Sequence, residues 1–500
     1  MFFVHPSNKN TSRLYYNSIM KKIRIAVIGL CLALFVSTPL FIHAAERSLW
    51  RGLSGNDVTT LQNLLIAKGY LASGKNTGYF GSMTENALKK FQCDKKIVCE
   101  TNVAGYGIYG PKTRVALQGT TASASVDTPN RSFEISGWIP YWRSATGTTD
   151  VLTHLSQLTS VMPFAYSVKS DGTLADTARL TEEPWTSFIA EAKKNKVRVV
   201  PTVMWGNGET IHRILSNATT RIALEDEIAN LVKENGFDGI DIDFEAKKHE
   251  TVNYFSTFLK GLYQRMGNKW VYCTVEARMP LYDRYLPGQT IPPDAMDYAN
   301  DYKEMNKYCD RIEIMAYDQG TVNVRLNKAR LAPYAPVADP GWVENVVTLA
   351  MKSIAKNKII IGVPTYGYEY TVTPLSGSGY QYKVLWPFNL RYATDIAAKL
   401  GITPTRTSAD EIGFTYDARL LEPAPVGTDS TLTQQTIVST SVAENSGSDV
   451  MTGRPFNFLS WSDAKAIANK VEIAHRLGVR GIAVFKFDGG EDPGMWAVLK

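Results

Sequence analysis

The hydrophobic and polar positions divide most of the chain into two alternating kinds of stretch. Between about residues 132 and 500, short apolar runs rich in β-branched residues alternate with stretches in which apolar residues recur every three or four positions. Continuous runs such as Ile359-Ile360-Ile361 are typical of strands that are buried on both faces of a parallel sheet. The pattern predicts eight strands, at residues 133–138, 160–165, 197–204, 239–244, 270–275, 311–316, 358–364 and 481–487.

Eight strands separated by helical stretches predict an α/β fold, a (β/α)8 barrel of the TIM type. The segment 132–500 is longer than the ~250 residues of a plain barrel. Most of the excess lies between the seventh and eighth strands. We therefore expect a small α+β insertion there, at about residues 369–458.

A separate, smaller unit is predicted at residues 46–117. Val58, Leu61 and Leu65 recur at helical spacing, Ser82 to Glu85 form a capping-box pattern, and a third helix starts at Pro111. These features predict a small all-α domain of three helices. Its motif, Gly-x-x-Gly-x-x-Val-x-x-Leu-Gln followed by Gly-x-Phe-Gly-x-x-Thr, resembles the peptidoglycan-binding domain of bacterial wall hydrolases. A polar linker rich in Ser and Thr is expected at 118–131.

The N-terminal 45 residues have the pattern of a secretory signal peptide. A positive stretch at 20–24 precedes an apolar run at 25–36 and two small residues at 44–45, and Met20 is an alternative start. The apolar run is shorter than the about 20 residues of a membrane span. We expect a secreted or envelope-associated protein with no stable membrane insertion after processing; an uncleaved anchor is the alternative.

Composition and charge exclude some classes of function. Hydrophobic residues make up 44% and charged residues 20% of the chain, as in soluble globular proteins. The net charge of +6 falls to +1 without residues 1–45, which hold five basic and no acidic side chains, so no nucleic-acid partner is expected. We expect a monomer. Cys93 and Cys99 are close enough in sequence for a disulfide, whereas Cys273 and Cys309 are expected as buried free thiols.

The fourth predicted strand carries the most informative chemistry. Asp241, Asp243 and Glu245 alternate with apolar residues, so the three carboxyl groups share one face, with Glu245 at the C-terminal mouth of the barrel. Same-face neighbours lie about 6.6 Å apart, and two ionised carboxylates at that distance repel by roughly 2–3 kcal/mol. At least one group should therefore be protonated near neutral pH, as a general acid requires.

A metal site is the alternative interpretation of these carboxyl groups, because oxygen ligands suit Mg²⁺ or Ca²⁺. Ligands spread along one strand lie too far apart to converge on one ion without donors from loops. We therefore expect neither a metal nor another cofactor. A solvated acidic strand end is a second alternative, but the interleaved Ile240, Ile242 and Phe244 argue against it.

Three motifs resemble glycoside hydrolase family 18, which includes chitinases and related N-acetylglucosaminidases. Residues 238–245 match Asp-Gly-x-Asp-x-Asp-x-Glu, the sixth strand carries Met-Ala-Tyr-Asp at 315–318, and the seventh carries Gly-x-Pro-x-Tyr-Gly at 362–367. The resemblance implies a retaining hydrolase in which the 2-acetamido group of the substrate is the nucleophile. Residues 335–344 and 362–368 resemble the branch with spore-cortex-lytic N-acetylglucosaminidases, which favours peptidoglycan over chitin as the polysaccharide substrate.

The resemblance also implies a role for each site residue. Glu245 would be the general acid, Asp243 would hold the acetamido N–H, Asp241 would share a proton with Asp243, and Tyr317 would donate to the acetamido oxygen. Asp238 lies off the acidic face and is expected to be structural. The expected substrate-binding residues are Met315, Asp318, Trp138, Tyr366 and Phe485.

Two departures from the family pattern leave a second function open. The third strand lacks the usual Ser-x-Gly-Gly ending, and Phe485 stands where the family has a Trp beneath the cleaved sugar. A non-catalytic, lectin-like wall-binding protein is therefore the alternative. The presence of Glu245 favours the hydrolase.

Overall fold

The computed structural model describes residues 49–99, 106–118, 133–323, 333–375, 379–421 and 453–499. The predicted signal peptide at 1–45 and residues 119–131 of the predicted linker lie outside the described residues. Among the described residues, no helix is both long enough and apolar enough to cross a membrane.

The first three helices form a small helical unit. They are α1 (Asn56–Ala67), α2 (Ser82–Asp94) and α3 (Pro111–Gln118). Two buried glutamines hold the unit together: Gln62 of α1 donates to Thr84 Oγ1, and Gln92 of α2 donates to Thr113 Oγ1, both at 2.9 Å. Each amide therefore ties its helix to the next one. The predicted Cys93–Cys99 disulfide is present.

The remaining chain contains fifteen strands among the described residues, eight of which close into a parallel barrel. Going around the barrel, the order is β1, β15, β9, β8, β7, β6, β5 and β2, and β2 pairs with β1 again. This confirms the (β/α)8 barrel. The strands are β1 (Glu134–Pro140), β2 (Ser160–Val168), β3 (Leu174–Asp176), β4 (Arg198–Val199), β5 (Thr202–Trp205), β6 (Gly239–Phe244), β7 (Trp270–Glu276), β8 (Arg311–Met315), β9 (Ile359–Pro364), β10 (Gly367–Pro374), β11 (Tyr380–Phe388), β12 (Thr405–Arg406), β13 (Ile412–Tyr416), β14 (Phe456–Trp461) and β15 (Gly481–Phe485).

Helices flank the barrel, and their apolar faces cover the outer faces of its strands. On the outer side of β6, for example, Phe244 stacks on Phe258 with ring centroids 5.3 Å apart. The helices after α3 are α4 (Ser144–Leu152), α5 (Trp185–Lys194), α6 (Gly208–Ser216), α7 (Ala218–Glu234), α8 (Val252–Met266), α9 (Leu281–Arg284), α10 (Tyr302–Tyr308), α11 (Pro340–Ala350), α12 (Leu390–Leu400), α13 (Ala464–Leu477) and α14 (Met495–Val498).

The predicted insertion between the seventh and eighth barrel strands is confirmed as an α+β unit. It consists of an antiparallel sheet in the order β11, β10, β14, β13 and β12, together with α12. A buried carboxylate connects it to the barrel: Glu411 accepts hydrogen bonds from the backbone N–H groups of Val337 (3.1 Å) and Ala338 (2.7 Å) and from Ser460 Oγ (2.7 Å). The insertion is therefore fixed beside the loop that precedes α11.

The third predicted strand is interrupted. The continuous run expected at 197–204 forms two short strands, β4 and β5, on either side of Val200 and Pro201. Proline has no N–H to give to a neighbouring strand, so the regular pairing cannot pass through Pro201. β5 then pairs with β6, with Met204 in register with Asp243.

The prediction of free thiols at Cys273 and Cys309 is wrong, because the two form a disulfide. Cys273 lies on β7, and Cys309 lies in the turn between α10 and β8 rather than on a strand. Since β7 and β8 are paired neighbours, this turn brings Cys309 beside Cys273, with their Cα atoms 6.0 Å apart.

A carboxylate surrounded by arginines closes the N-terminal end of the barrel. Glu134 opens β1 and pairs with Arg311 (2.6 Å), Arg480 (2.7 Å) and Arg198 (3.2 Å), which belong to or adjoin three other strands. Burial alone would raise the pKa of Glu134, but the hydrogen bond and charge of Arg311, with the charges of Arg198 and Arg480, lower it to about 2. The cluster joins β1 to β4, β8 and β15 at the end opposite the candidate site.

Candidate active site

The two faces of β6 divide as the alternating sequence predicts. Ile240, Ile242 and Phe244 are fully buried in the layer between the barrel and its helices. Asp241 and Asp243 point to the barrel interior, and Glu245 follows at the C-terminal mouth, where it is half-buried. Active sites of this fold lie at that end of the barrel.

Asp241 lies deepest of the three carboxyl groups and is completely buried. Its oxygens accept hydrogen bonds from Trp138 Nε1 (3.0 Å), Thr202 Oγ1 (2.8 Å) and Thr274 Oγ1 (2.8 Å). Burial raises the pKa of Asp241, and these donors lower it in part because they stabilise the anion. Its three partners come from β1, β5 and β7, so Asp241 is held from three directions.

Asp243 and Glu245 form a coupled pair above Asp241. Burial raises the pKa of Asp243 well above its ordinary value, and the negative charges of Glu245 and Asp241 raise it further. Asp243 donates a hydrogen bond to Glu245, and its Oδ1 is buried without a hydrogen-bond partner. Burial and these charges therefore favour the protonated form of Asp243.

The pKa of Glu245 lies near neutrality. Burial and the charges of Glu276 and Asp318 raise it to about 7, although the charge of Lys247 and the hydrogen bond from Asp243 act in the opposite direction. A carboxylic acid with a pKa close to ambient pH can give up a proton and recover it in successive steps. Glu245 therefore has the ionisation behaviour of a general acid and base.

The end of β8 contributes the second side of the site. Tyr317 is buried, and after burial the charges of Asp243, Asp318 and Glu245 are the main causes that raise its pKa well above the ordinary value. Tyr317 therefore carries its hydroxyl proton near the acidic strand and can donate it. Met315, the residue of β8 in register with Glu276, is half-buried at the same edge.

Asp318 is fixed by two tyrosines of the seventh-strand motif. Tyr366 and Tyr368 both donate to Asp318 Oδ1, at 2.5 and 2.8 Å. Burial raises the pKa of Asp318 to about 6, against the lowering effect of these hydrogen bonds. Tyr366 is buried and positions Asp318, and its expected contact with the substrate stays a prediction.

Phe485 forms an aromatic floor at the end of β15. Its ring stacks on Tyr317 (5.5 Å between centroids, 17° between planes) and meets Trp138 and Tyr366 edge-on at 5.9 and 6.0 Å. Phe485 is half-buried, whereas Trp138 is only 1% exposed. Trp138 therefore lies beneath the site as a donor to Asp241, and its expected contact with the substrate stays a prediction.

Asp238 has the structural position that its off-face location indicated. Its carboxylate accepts a hydrogen bond from the backbone N–H of Val199 in β4 at 2.8 Å. Among the described residues, no group of three His, Cys, Asp or Glu side chains is arranged to hold a metal ion.

Two acidic residues of the site were not singled out from the sequence. Glu276 ends β7 and provides the largest charge effect on Glu245, and Glu313 of β8 is buried below Asp241, 3.4 Å from Thr274 Oγ1. Both lie on faces that point into the barrel, in the period-two register with Thr274 and Met315. The alternation of side chains along β7 and β8 could have identified Glu276 and Glu313 as site residues, but only if the inward face of each strand had been known.

These features define the protein as a (β/α)8 barrel with a cluster of carboxyl groups at its C-terminal mouth, the end at which active sites of this fold lie. The chain belongs to glycosyl hydrolase family 18, which residues 137–490 match. Residues 54–117 match a second family, described as "Putative peptidoglycan binding domain".

Individual comparisons agree with this family membership. A cortical fragment-lytic enzyme of Bacillus subtilis is 23% identical over 351 residues, which cover 68% of this chain and 67% of the relative. The spore cortex-lytic enzyme SleL of Bacillus megaterium has a similar fold (TM-score 0.52, 21% identity, 74% of each chain), as does a chitinase of Chromobacterium violaceum (TM-score 0.53, 16% identity, 74% of this chain and 98% of that one). The chain spans about half the length of other curated relatives that it matches, 52% and 56% of two Bacillus subtilis glycosylases.

Proposed function

We propose that this chain is a retaining glycoside hydrolase that cleaves β-1,4-linked N-acetylglucosamine polymers by substrate-assisted acid/base catalysis. The observation that carries the proposal is Glu245: a half-buried carboxyl group at the barrel mouth with a pKa of about 7, hydrogen-bonded to Asp243. A group in this state can be an acid in one step and a base in the next.

In the first step, Glu245 transfers its proton to the glycosidic oxygen as the bond from that oxygen to the anomeric carbon breaks. The acetamido oxygen of the same sugar attacks the anomeric carbon and forms a cyclic oxazolinium ion. Asp243, whose Oδ1 lacks a partner in the described structure, accepts a hydrogen bond from the acetamido N–H and stabilises the positive charge of the oxazolinium ion. Tyr317 donates its hydroxyl to the acetamido oxygen and directs its approach.

In the second step, the Glu245 carboxylate accepts a proton from water, and the resulting hydroxide opens the oxazolinium ring at the anomeric carbon. Two displacements at one carbon leave its configuration unchanged. Asp241 supports both steps indirectly. Because three side chains donate hydrogen bonds to its carboxylate, Asp241 can stay ionised, and the proton that the two aspartates share remains on Asp243. Asp318 and Met315 line the sugar site, and Phe485 lies under the ring.

Peptidoglycan is the proposed natural substrate, with chitin as the alternative. The support comes from the N-terminal segment that matches a peptidoglycan-binding family and from the relatives that act on spore cortex. Such a substrate requires export, and the N-terminal sequence has the pattern of a signal peptide. We therefore propose a secreted or envelope-associated enzyme.

Product analysis tests this function. The purified protein is incubated with peptidoglycan and with chitin, and the soluble products are identified by mass spectrometry beside those of Glu245→Gln and of Glu209→Gln. Glu209 is exposed and pairs with Lys248 outside the acidic strand, so it is a matched control. We expect products with N-acetylglucosamine at the reducing end from the wild type and the control, and a loss of at least 100-fold in Glu245→Gln.

A lectin-like function is the second candidate, since Phe485 offers less stacking area than the Trp usual in the family. It would be favoured if the wild type released no product and still co-sedimented with cell walls. Product release unaffected by Glu245→Gln would contradict the proposed mechanism.

A further inference from the structure

Glu276 is a half-buried carboxylate beside Glu245, and the proposed mechanism assigns no role to it. It ends β7, and the period-two register of that strand places it after Tyr272 and Thr274 on the inward face. The side chain is 38% exposed, so it lies at the mouth and not in the barrel interior.

The carboxylate of Glu276 is held at both oxygens. Oε1 accepts a hydrogen bond from the backbone N–H of Ala246 at 3.1 Å, and Oε2 accepts one from Asn300 Nδ2 at 2.9 Å. Ala246 directly follows Glu245 and has a left-handed backbone (φ 52°), which is uncommon for a residue with a side chain. The contact therefore fixes the sharp turn on which Glu245 is carried.

Asn300 is itself held in place. Its backbone oxygen accepts a hydrogen bond from Arg278 Nη2 at 2.6 Å, and the Arg278 guanidinium lies between the rings of Tyr298 and Tyr302, 3.8 and 4.0 Å from their centroids. This chain of contacts runs from the end of β7 to the start of α10. Glu276 is therefore supported by residues distant from β6 in the sequence.

We infer that Glu276 is a positioning residue for the general acid: it holds the backbone turn after Glu245 and places the charge of its carboxylate beside Glu245. This inference rests on the proposed role of Glu245. The positional part follows from the Ala246 contact, and the electrostatic part from a fixed negative charge next to an acid whose neutral form is the reactive one.

Other charged and titratable groups near Glu245 also affect its pKa, and their effects add to that of Glu276. Lys247, on the same turn, is 3.9 Å from Glu276 Oε2 and favours the ionised form of Glu245. From β8, the charge of Asp318 favours the protonated form. Among the described residues, Asp243, Lys247, Tyr302, Tyr317 and Asp318 interact electrostatically with Glu245 or Glu276. Asp241 acts on Asp243, and Arg278 and Tyr298 act on Tyr302.

Two substitutions separate charge from position. Glu276→Gln removes the charge but keeps an oxygen that can accept from Ala246 N–H, and Asn300 can turn its amide to accept from the new NH2 group, since Asn300 Oδ1 has no partner in the described structure. Glu276→Ala removes both the charge and the acceptor. Glu250→Gln is the control, because Glu250 is exposed and pairs with Lys248 on the outer side of the same loop.

The experiment follows the carboxyl signal of Glu245 by NMR titration in protein labelled with 13Cδ-glutamate, with the signal assigned by its absence in Glu245→Gln. In Glu276→Gln the pKa of Glu245 should fall by about half a unit or more, and the alkaline limb of the kcat/KM–pH profile should move down with it. In Glu276→Ala the same shift should come with an additional loss in kcat of about tenfold. Glu250→Gln should match the wild type.

An unchanged pKa of Glu245 in Glu276→Gln would overturn the electrostatic part, and equal kcat values for the Gln and Ala variants would overturn the positional part. Either result leaves the proposed function standing if the wild type cleaves substrate and Glu245→Gln does not. If the wild type cleaves nothing, the proposed function fails, and the NMR titration still decides whether Glu276 controls the ionisation of Glu245.

Discussion

Replacing Glu134 by Gln should destabilise the barrel without changing its chemistry. Glu134 is buried and ion-paired with three arginines at the end of the barrel opposite the site. A pKa lowered from 4.5 to about 2 corresponds to about 3 kcal/mol of stabilisation in the ionised state. The substitution leaves the guanidinium groups without their carboxylate, and a loss of that size is typical of a broken buried ion pair.

The pH dependence of this loss has a definite sign. The pKa of Glu134 is lower in the folded than in the unfolded protein, so its contribution is complete above the unfolded value of 4.5 and disappears as the pH falls toward about 2. The difference in free energy of unfolding between wild type and Glu134→Gln should therefore be about 3 kcal/mol at pH 7 and about 1 kcal/mol at pH 3.

Denaturant unfolding followed by tryptophan fluorescence at the two pH values measures both numbers. Glu182→Gln is the control, since its ion pair with Arg179 is exposed and should contribute less than about 1 kcal/mol. If the difference in free energy of unfolding between wild type and Glu134→Gln is the same at pH 7 and pH 3, or is absent at pH 7, the electrostatic account of this cluster is refuted.

Three further predictions concern the site and its frame. Phe485→Ala should lower kcat/KM about tenfold through lost ring contacts, whereas Phe485→Trp should retain or raise it; equal rates for the two variants would show that the ring is not used. Gly362→Ala should lower activity, because a Cβ at this position would lie 2.6 Å from Ile314 O and 2.8 Å from Tyr317 Cε1; an unaffected rate would mean that Tyr317 tolerates displacement. The double variant Cys273→Ser/Cys309→Ser removes a disulfide between residues 36 apart in the sequence. Its free energy of unfolding should therefore be lower by about 4 kcal/mol, with kcat retained. Equal unfolding midpoints of the wild type with and without reductant would contradict this.

The parts of the fold that follow short-range patterns could be predicted from the sequence. The alternation of Asp241, Ile242, Asp243 and Phe244 fixed which side chains enter the barrel, because a strand has a period of two. The apolar runs located all eight barrel strands, and the excess length located the insertion. The break between β4 and β5 was missed, although Pro201 was visible as a residue that cannot donate to a neighbouring strand.

Contacts between distant elements could not be predicted in the same way. The donors to Asp241 come from three strands, and Thr202 and Thr274 carry no motif that would mark them. Trp138 was expected to bind the substrate, and its hydrogen bond to Asp241 across the barrel could not be inferred from its position in the sequence. Cys273 and Cys309 were expected as free thiols because nothing in their spacing shows that the turn before β8 lies beside β7.

The central claim is that the acetamido group of the substrate is the nucleophile and that the acidic residues of β6 hold and activate it. Rates measured with oligosaccharides whose acetyl group at the cleaved sugar carries none, one, two or three fluorine atoms test this most directly. Because fluorine withdraws electrons from the amide oxygen, the account predicts that kcat/KM falls steeply with each fluorine while Glu245 and Asp243 are unchanged. A rate that is independent of fluorine number, or full cleavage of a sugar with a free amine at this position, would contradict it.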